Sequence, residues 1–190
     1  IAGDNSLSSY TMSDINEMKS VGSSDQVHIV VLKDGSASGD TRVYYVEYNN
    51  LVSISLSSVY SGWGTEINTG DASNLVRFVT WAMSNYPAEH YFIDLWDHGD
   101  GAEGVCWDES SYDHISMTEL RGAMQSIVQS NGNNPIDIVG FDACMMGQVE
   151  VAAQLYGYAN YMVGSEQTEA GDGWNYEPIM NYLVSHPDIS

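Results

Sequence analysis

The sequence predicts an α/β fold built on a mostly parallel sheet, with helices on both faces and a short antiparallel hairpin arm. Three features carry that expectation: short apolar runs of strand length, amphipathic stretches of helical period between them, and their regular alternation along the chain. In order, Ser13–Met18 has the character of a helix start, with Ser13 three residues ahead of Asn16. Val27–Leu32 is a β-branched run closed by Asp34-Gly35, which reads as a strand and a turn. Thr41–Tyr48 alternates in the manner of a strand and supplies the hairpin arm at the sheet edge. The tract 53–70, rich in Ser, Gly and Asn, reads as a surface loop.

Asp71 then caps a helix whose Leu75, Val76, Val79 and Met83 share one face, and Pro87 closes it. Tyr91–Trp96 is the next strand, followed by a loop through Gly99, Gly101 and Gly104. Ser116-Met117-Thr118-Glu119 is a capping box, and Met117, Leu120, Met124, Ile127 and Val128 face inward from the helix it opens. Asn131–Pro135 stops that helix before a strand at Ile136–Phe141. A helix over about 148–155, a strand at Tyr161–Ser165 and a helix over 174–184 complete the order. Strands that alternate with helices in this way call for right-handed crossovers. No repeat, linker or low-complexity boundary divides the chain, so 1–190 reads as one domain.

Composition narrows the function classes. A hydrophobic fraction of 43% with 11% aromatics describes a packed globule rather than an acidic disordered tail. Twenty-six acids against five bases give a formal net charge of -21, which leaves no basic stripe for nucleic acid or for anionic lipid. A cationic substrate is attracted instead, although solubility or adaptation to salt or calcium explains bulk charge equally well. No apolar run approaches the roughly 20 residues that cross a bilayer. The chain opens on Ile1 rather than Met and carries no leader-like segment, so the expectation is that any signal peptide has been removed or never existed and that the sequence is a processed chain or an excised piece. Two cysteines do not make a disulfide framework: Cys106 reads as a packed core thiol, and a Cys106–Cys144 bridge is disfavoured.

Chemistry concentrates at the ends of two apolar runs, Tyr91–Trp96 continuing into Asp97-His98-Gly99 and Ile136–Phe141 continuing into Asp142-Ala143-Cys144. In an open parallel sheet the C-terminal edge is where ligands bind. A thiol and an imidazole delivered to that edge are a nucleophile and its proton acceptor. Alone, His98 reads as a strand-end histidine and Cys144 as a core thiol; together they point to a cysteine peptidase. The helix expected after Gly147 would bring positive N–H groups toward the sulfur. The Gly99 and Cys144 amides are the candidate donors to an oxyanion.

These motifs resemble the caspase-like superfamily of cysteine peptidases, in which His-Gly and Ala-Cys each follow a hydrophobic block. Within it the resemblance is to the clostripain-like peptidases. Ile1–Leu7 is similar to their N-terminal signature, Asp14–Met18 to the helix after it, and Asp97-His98-Gly99 with Gly140–Met145 to the two catalytic blocks. Gly164–Glu169 and Gly171-Asp172-Gly173-Trp174 are similar to the block that shapes the primary specificity pocket. The resemblance implies a three-layer αβα caspase-like fold. It makes Cys144 the nucleophile and His98 the general base and acid, and puts Asp142 and Asp172 near the floor of a pocket for Arg or Lys. Asp142 has a rival reading as a strand-end carboxylate that fixes a loop, and Asp172, between glycines, as a turn former. Ser165 and Glu166 line the cleft or serve the strand end.

The implied protein is an endopeptidase acting on peptides with Arg or Lys at P1, secreted or associated with the cell envelope, and monomeric. The dyad requires no cofactor and no metal. Relatives that use calcium, together with Asp94, Asp97, Asp100, Glu103, Asp108, Glu109 and Asp113 crowding the region around His98, raise calcium binding as a further expectation. Zinc through His98, Cys106 and His114 has less support, since no paired ligand spacing is present. The alternative from another class is a catalytically silent caspase-like domain that grips calcium or a cationic partner. Against the family pattern, the resemblance implies a chain that starts within or just after the first strand and relatives that commonly continue past the last residue. Arg121 is the only Lys or Arg between His98 and Cys144 and lies in an expected helix, so self-cleavage there is not expected.

Overall fold

The computed structural model describes residues 1–187. Its elements are β1 (Ala2–Gly3), α1 (Thr11–Val21), β2 (Val30–Gly35), β3 (Arg42–Glu47), β4 (Asn50–Ile54), α2 (Leu56–Val59), α3 (Ala72–Asn85) and β5 (Phe92–Trp96). They continue with β6 (Gly104–Asp108), β7 (Asp113–Ser116), α4 (Met117–Ser130), β8 (Ile136–Asp142), α5 (Val149–Leu155), β9 (Ala159–Val163) and α6 (Tyr176–Ser185).

The central layer has two pieces, a four-stranded sheet in the order β1-β2-β3-β4 and a three-stranded sheet in the order β5-β8-β9. β1 lies against β5 where the pieces meet. Pairing is parallel for β1/β2, β5/β8 and β8/β9, and antiparallel through β2/β3/β4 and in the separate β6/β7 ribbon. Helices cover both faces, which completes the three layers. On one side α1 and α6 contribute Ile15, Met18 and Tyr176 to a core with Val31, Val46 and Trp96. On the other, α3, α4 and α5 bury Val79, Leu120, Met124, Ile127 and Val151 against Ile93, Leu95, Val139 and Phe141. Neighbouring residues of β5 therefore serve opposite layers, as a pleat of period two requires.

Helix starts follow their local chemistry. The Asp71 side chain accepts from the Ser73 amide at the head of α3. Ser116 and Glu119 close a reciprocal capping box on α4. The tract 53–70 departs from expectation: β4 and the short α2 occupy its first part. Leu51 packs toward one face and Ile54 toward the other, a pattern that the intervening serine hides. Asp34-Gly35 is not a turn either. Ala2 and Gly3 pair with these two residues, so β2 runs on through them. β9 starts at Ala159 and ends at Val163, which leaves Gly164-Ser165 in the following loop.

Candidate active site

Strand register assembles the site. Trp96 of β5 is paired with Asp142 of β8, and the Asp97 amide donates to the Asp142 carbonyl at 3.1 Å. His98 and Cys144 each lie two residues beyond that last rung, so the parallel strands deliver them level at the C-terminal edge. Gly99 closes the distance: a Cβ there would overlap the Cys144 carbonyl oxygen and come within 2.8 Å of Met146 Cγ. Any other residue would push the two loops apart. His98 and Cys144 line one cavity of about 140 Å³, with Trp96, Asp142, Glu169 and Gly173 among its other walls.

The imidazole is anchored from outside. Ser6 Oγ lies 2.9 Å from His98 Nε2, and among the described residues Nδ1 has no hydrogen-bond partner. Ser6 is held in turn by its neighbour, since Asn5 Nδ2 donates to Asp97 Oδ1 at 2.6 Å and to the Trp107 carbonyl at 3.0 Å. The sulfur receives a donor from a third loop: the Glu169 amide points at Cys144 Sγ at 3.3 Å. Helix α5 contributes less than its sequence suggests. It starts at Val149, five residues on, while dipole effects fade within one turn.

Met145 adopts φ 58°, a left-handed conformation that is costly without glycine. Two bonds hold it, from the Met145 amide to the Gln167 carbonyl at 2.9 Å and from the Gly147 amide to the Ser165 carbonyl at 2.7 Å. The Met145 N–H is thereby consumed. Among the described residues, the Gly99 and Cys144 amides have no such acceptor. Both cysteines are free, and Cys106 is a different kind of thiol: burial pushes its pKa far up and leaves it inert.

Below the sulfur the cavity is acidic. Asp142 Oδ2 accepts from the Trp174 amide at 3.0 Å and from the Tyr176 hydroxyl at 2.8 Å. The same hydroxyl lies 2.6 Å from Asp94 Oδ2. One phenol carries one proton, so one of these two carboxyls must hold a proton of its own to bridge the remaining gap. Burial raises both acids above the ordinary aspartate range, Asp94 to about 6. Glu169 is the second acid of the wall. Its Oε1 sits at the edge of reach of the Trp174 indole, 3.5 Å away, while Oε2 is buried without a partner. Burial, and then the neighbouring Asp142, hold its carboxyl above the usual glutamate value. Gly173, at φ 59°, makes room, since a Cβ there would sit 2.6 Å from Asp142 Oδ2.

The structure thus brings together His98, Gly99, Asp142 and Cys144. Asp172 is exposed and is not among the residues lining the cavity. Ser165 turns to its own loop, accepting from the Gln167 amide at 3.1 Å, and Glu166 is exposed. Glu169 and Ser6 were not singled out from sequence. Both lie inside motifs that were, yet nothing in their spacing separates Glu169 from Glu166 or Ser6 from Ser8.

Comparison with known proteins gives a consistent picture. The family model described as the clostripain family matches residues 1–190. Clostripain of Hathewaya histolytica is 28% identical over 216 residues, covering 95% of this chain and 40% of that protein. A secreted C11 cysteine protease from Bacteroides thetaiotaomicron, solved with an irreversible peptide inhibitor, superposes with a TM-score of 0.78 at 29% identity, over 96% of this chain and 51% of the other. An inactive zymogen C11 protease from Parabacteroides distasonis shares the fold, with a TM-score of 0.74 at 24% identity over 96% of this chain and 51% of its own. The chain therefore spans 40% of the curated relative and about half of these two solved chains.

Proposed function

The chain belongs to the clostripain family of cysteine peptidases, and from that premise we propose that it cleaves peptide bonds after Arg or Lys through a Cys144–His98 dyad. The observation that supports this most is the β5/β8 register, beyond whose last rung Cys144 and His98 both follow by two residues and both line one cavity. His98 Nδ1 takes the proton from Cys144 as Sγ attacks the scissile carbonyl carbon. The tetrahedral oxyanion is received by the Gly99 and Cys144 amides. As the C–N bond breaks, His98 returns the proton to the departing amine and a thioester remains. Water then enters, gives a proton to His98 and releases the peptide acid, restoring the thiol.

The acids below the sulfur give the reading its specificity. A P1 guanidinium or ammonium entering the cavity would meet Asp142 and the unpartnered Oε2 of Glu169. Both carboxyls sit high because they are buried, and a bound cation would reverse that by favouring their ionised forms. Cleavage of Arg peptides should accordingly gain as pH rises past the ordinary carboxylate range. A peptide inhibitor in one relative supports a peptide substrate, and the description of that relative as secreted supports action outside the cell. No helix among the described residues is long and apolar enough to cross a membrane.

The test is a panel of fluorogenic peptides ending in Arg, Lys, Asp or Asn, assayed with the chain and with Cys144→Ala. Turnover of the Arg and Lys members that disappears in the variant is expected. Turnover confined to Asp or Asn would remove the pocket assignment and keep the dyad. No turnover, with no alkylation of Cys144 by a basic chloromethyl ketone, would leave a silent binding domain.

A further inference from the structure

The Tyr176 hydroxyl stands between two carboxyls, and only one of them lines the cavity. Asp142 Oδ2 lies 2.8 Å from it and belongs to the cavity wall, while Asp94 Oδ2 lies 2.6 Å from it, a step behind. A phenol donates once, so a bridge to both acids needs a second proton, carried by Asp94 or by Asp142. The surroundings of the two acids differ.

Asp142 is placed to be the anion. Its Oδ2 also accepts from the Trp174 amide at 3.0 Å, a donor that favours the ionised form. Asp94 lacks such support at its other oxygen, since Oδ1 is buried without a hydrogen-bond partner. Gly140, its neighbour across the β5/β8 rung, explains the enclosure. A Cβ there would come within 2.9 Å of Asp94 Oδ1 and 2.6 Å of Phe92 Cε2, so the ring and the glycine backbone close that side. A bare buried oxygen costs far less on a neutral acid than on a carboxylate. Burial accordingly lifts the Asp94 pKa to about 6. The groups that face the pair do not reverse this. Asp14 and Glu17 of α1 and Glu169 of the loop after β9 are themselves acids, and Cys106 of β6 is a neutral thiol. The Ile1 ammonium, a cation facing Asp94, donates to the Leu32 carbonyl at 2.9 Å.

We propose that Asp94 is a positioning residue of the P1 pocket: a neutral carboxylic acid that donates to the Tyr176 oxygen while the Tyr176 hydroxyl donates to an ionised Asp142. The chain of donors runs one way, from Asp94 through the phenol to Asp142. Asp142 thereby receives two donors on Oδ2 and presents its charge to a cationic side chain in the cavity. A second buried anion beneath it is avoided. An aliphatic residue at position 94 would leave the phenol oxygen without its donor. A permanently ionised one would draw the hydroxyl away from Asp142.

The inference rests on the P1 assignment for its kinetic arm, and the protonation arm is read without turnover. In protein whose aspartate carboxyls carry carbon-13, NMR titration follows each acid, and Asp94→Asn and Asp142→Asn assign the two signals. As pH rises, Asp142 should lose its proton before Asp94 does. The reverse order, or an Asp94 that titrates in the ordinary carboxylate range, would overturn the proposal. Kinetics on an Arg peptide follow at about pH 5.5, below the Asp94 value. Asp94→Ala should raise KM severalfold with kcat held, and Asp94→Asn, whose amide can take over as donor, should restore it. An Asp94→Asn protein as impaired as Asp94→Ala would show that charge is needed rather than a donor, and would overturn the proposal. Asp142→Asn should raise KM by about tenfold or more. If it leaves KM unchanged while the two acids titrate in the order given, the P1 reading fails and the proton assignment stands.

Discussion

Ser6 and Glu169 do at the residue scale what strand ends alone cannot. Ser6 fixes the face of the His98 ring, so Ser6→Ala should lower kcat several-fold with little change in KM, the loss expected from one hydrogen bond of about 1 kcal/mol. Parallel falls in kcat with Arg and Lys substrates would confirm a positioning role, and an unchanged kcat would exclude it. Glu169 acts on the other side of the sulfur. Glu169→Gln keeps its amide on Cys144 and removes only the carboxylate charge, so KM for an Arg peptide should rise by about tenfold or more while kcat holds. Asp172→Asn, at an exposed position, should change KM far less.

His98, Cys144 and Asp142 were legible in the sequence because each stands at a fixed offset from an apolar run, and a strand end is a local signal. Glu169 and Ser6 were not. Their roles depend on how two separate loops fold back over the sheet edge, and no periodicity encodes that.

Elements explain why the site is level and how the chain withstands its own proposed specificity. The rungs of β5 and β8 set the height of both loops, so a substitution that opens the Gly99 contact, such as Gly99→Ala, should cost activity more than it costs the fold. All five basic residues lie inside regular elements: Lys19 in α1, Lys33 in β2, Arg42 in β3, Arg77 in α3 and Arg121 in α4. A protease needs an extended strand in its cleft, and none of these can offer one without local unfolding. Active protein should therefore give a single mass on storage. Ser116→Gly together with Glu119→Ala, which dismantles the capping box at the head of α4, should promote cleavage after Arg121. Fragments split there in the unaltered protein would contradict this account.

The helices were the more legible elements because caps and a 3.6-residue period are written locally. β4 and the extension of β2 were hidden. The first carries its apolar residues to both faces, and the second owes its last two residues to a partner strand at the other end of the sequence.

Across the whole molecule, charge and burial pull against each other. Burial pushes Asp14 up to about 7, Asp94 to about 6 and Asp97 to about 8, against an ordinary value of 3.8. Between the ordinary value and these raised ones the folded chain holds more protons than the unfolded chain. The stability these groups contribute is therefore fullest below the ordinary value of 3.8 and falls as pH climbs from there through the raised values of about 6 to 8. The net charge of -21 acts in the same direction through self-repulsion. In EDTA, the melting temperature at about pH 5 should exceed that at about pH 9, and a flat or rising profile would show these carboxyls to be compensated.

The central claim is that one thiol, held against one imidazole above an acidic cavity, does the chemistry. Exposure to a peptidyl-arginine chloromethyl ketone followed by peptide mapping tests it most directly. The account predicts a single adduct on Cys144, formed far more slowly by a neutral P1 analogue and largely lost in His98→Ala. No adduct, or one on Cys106, would contradict it.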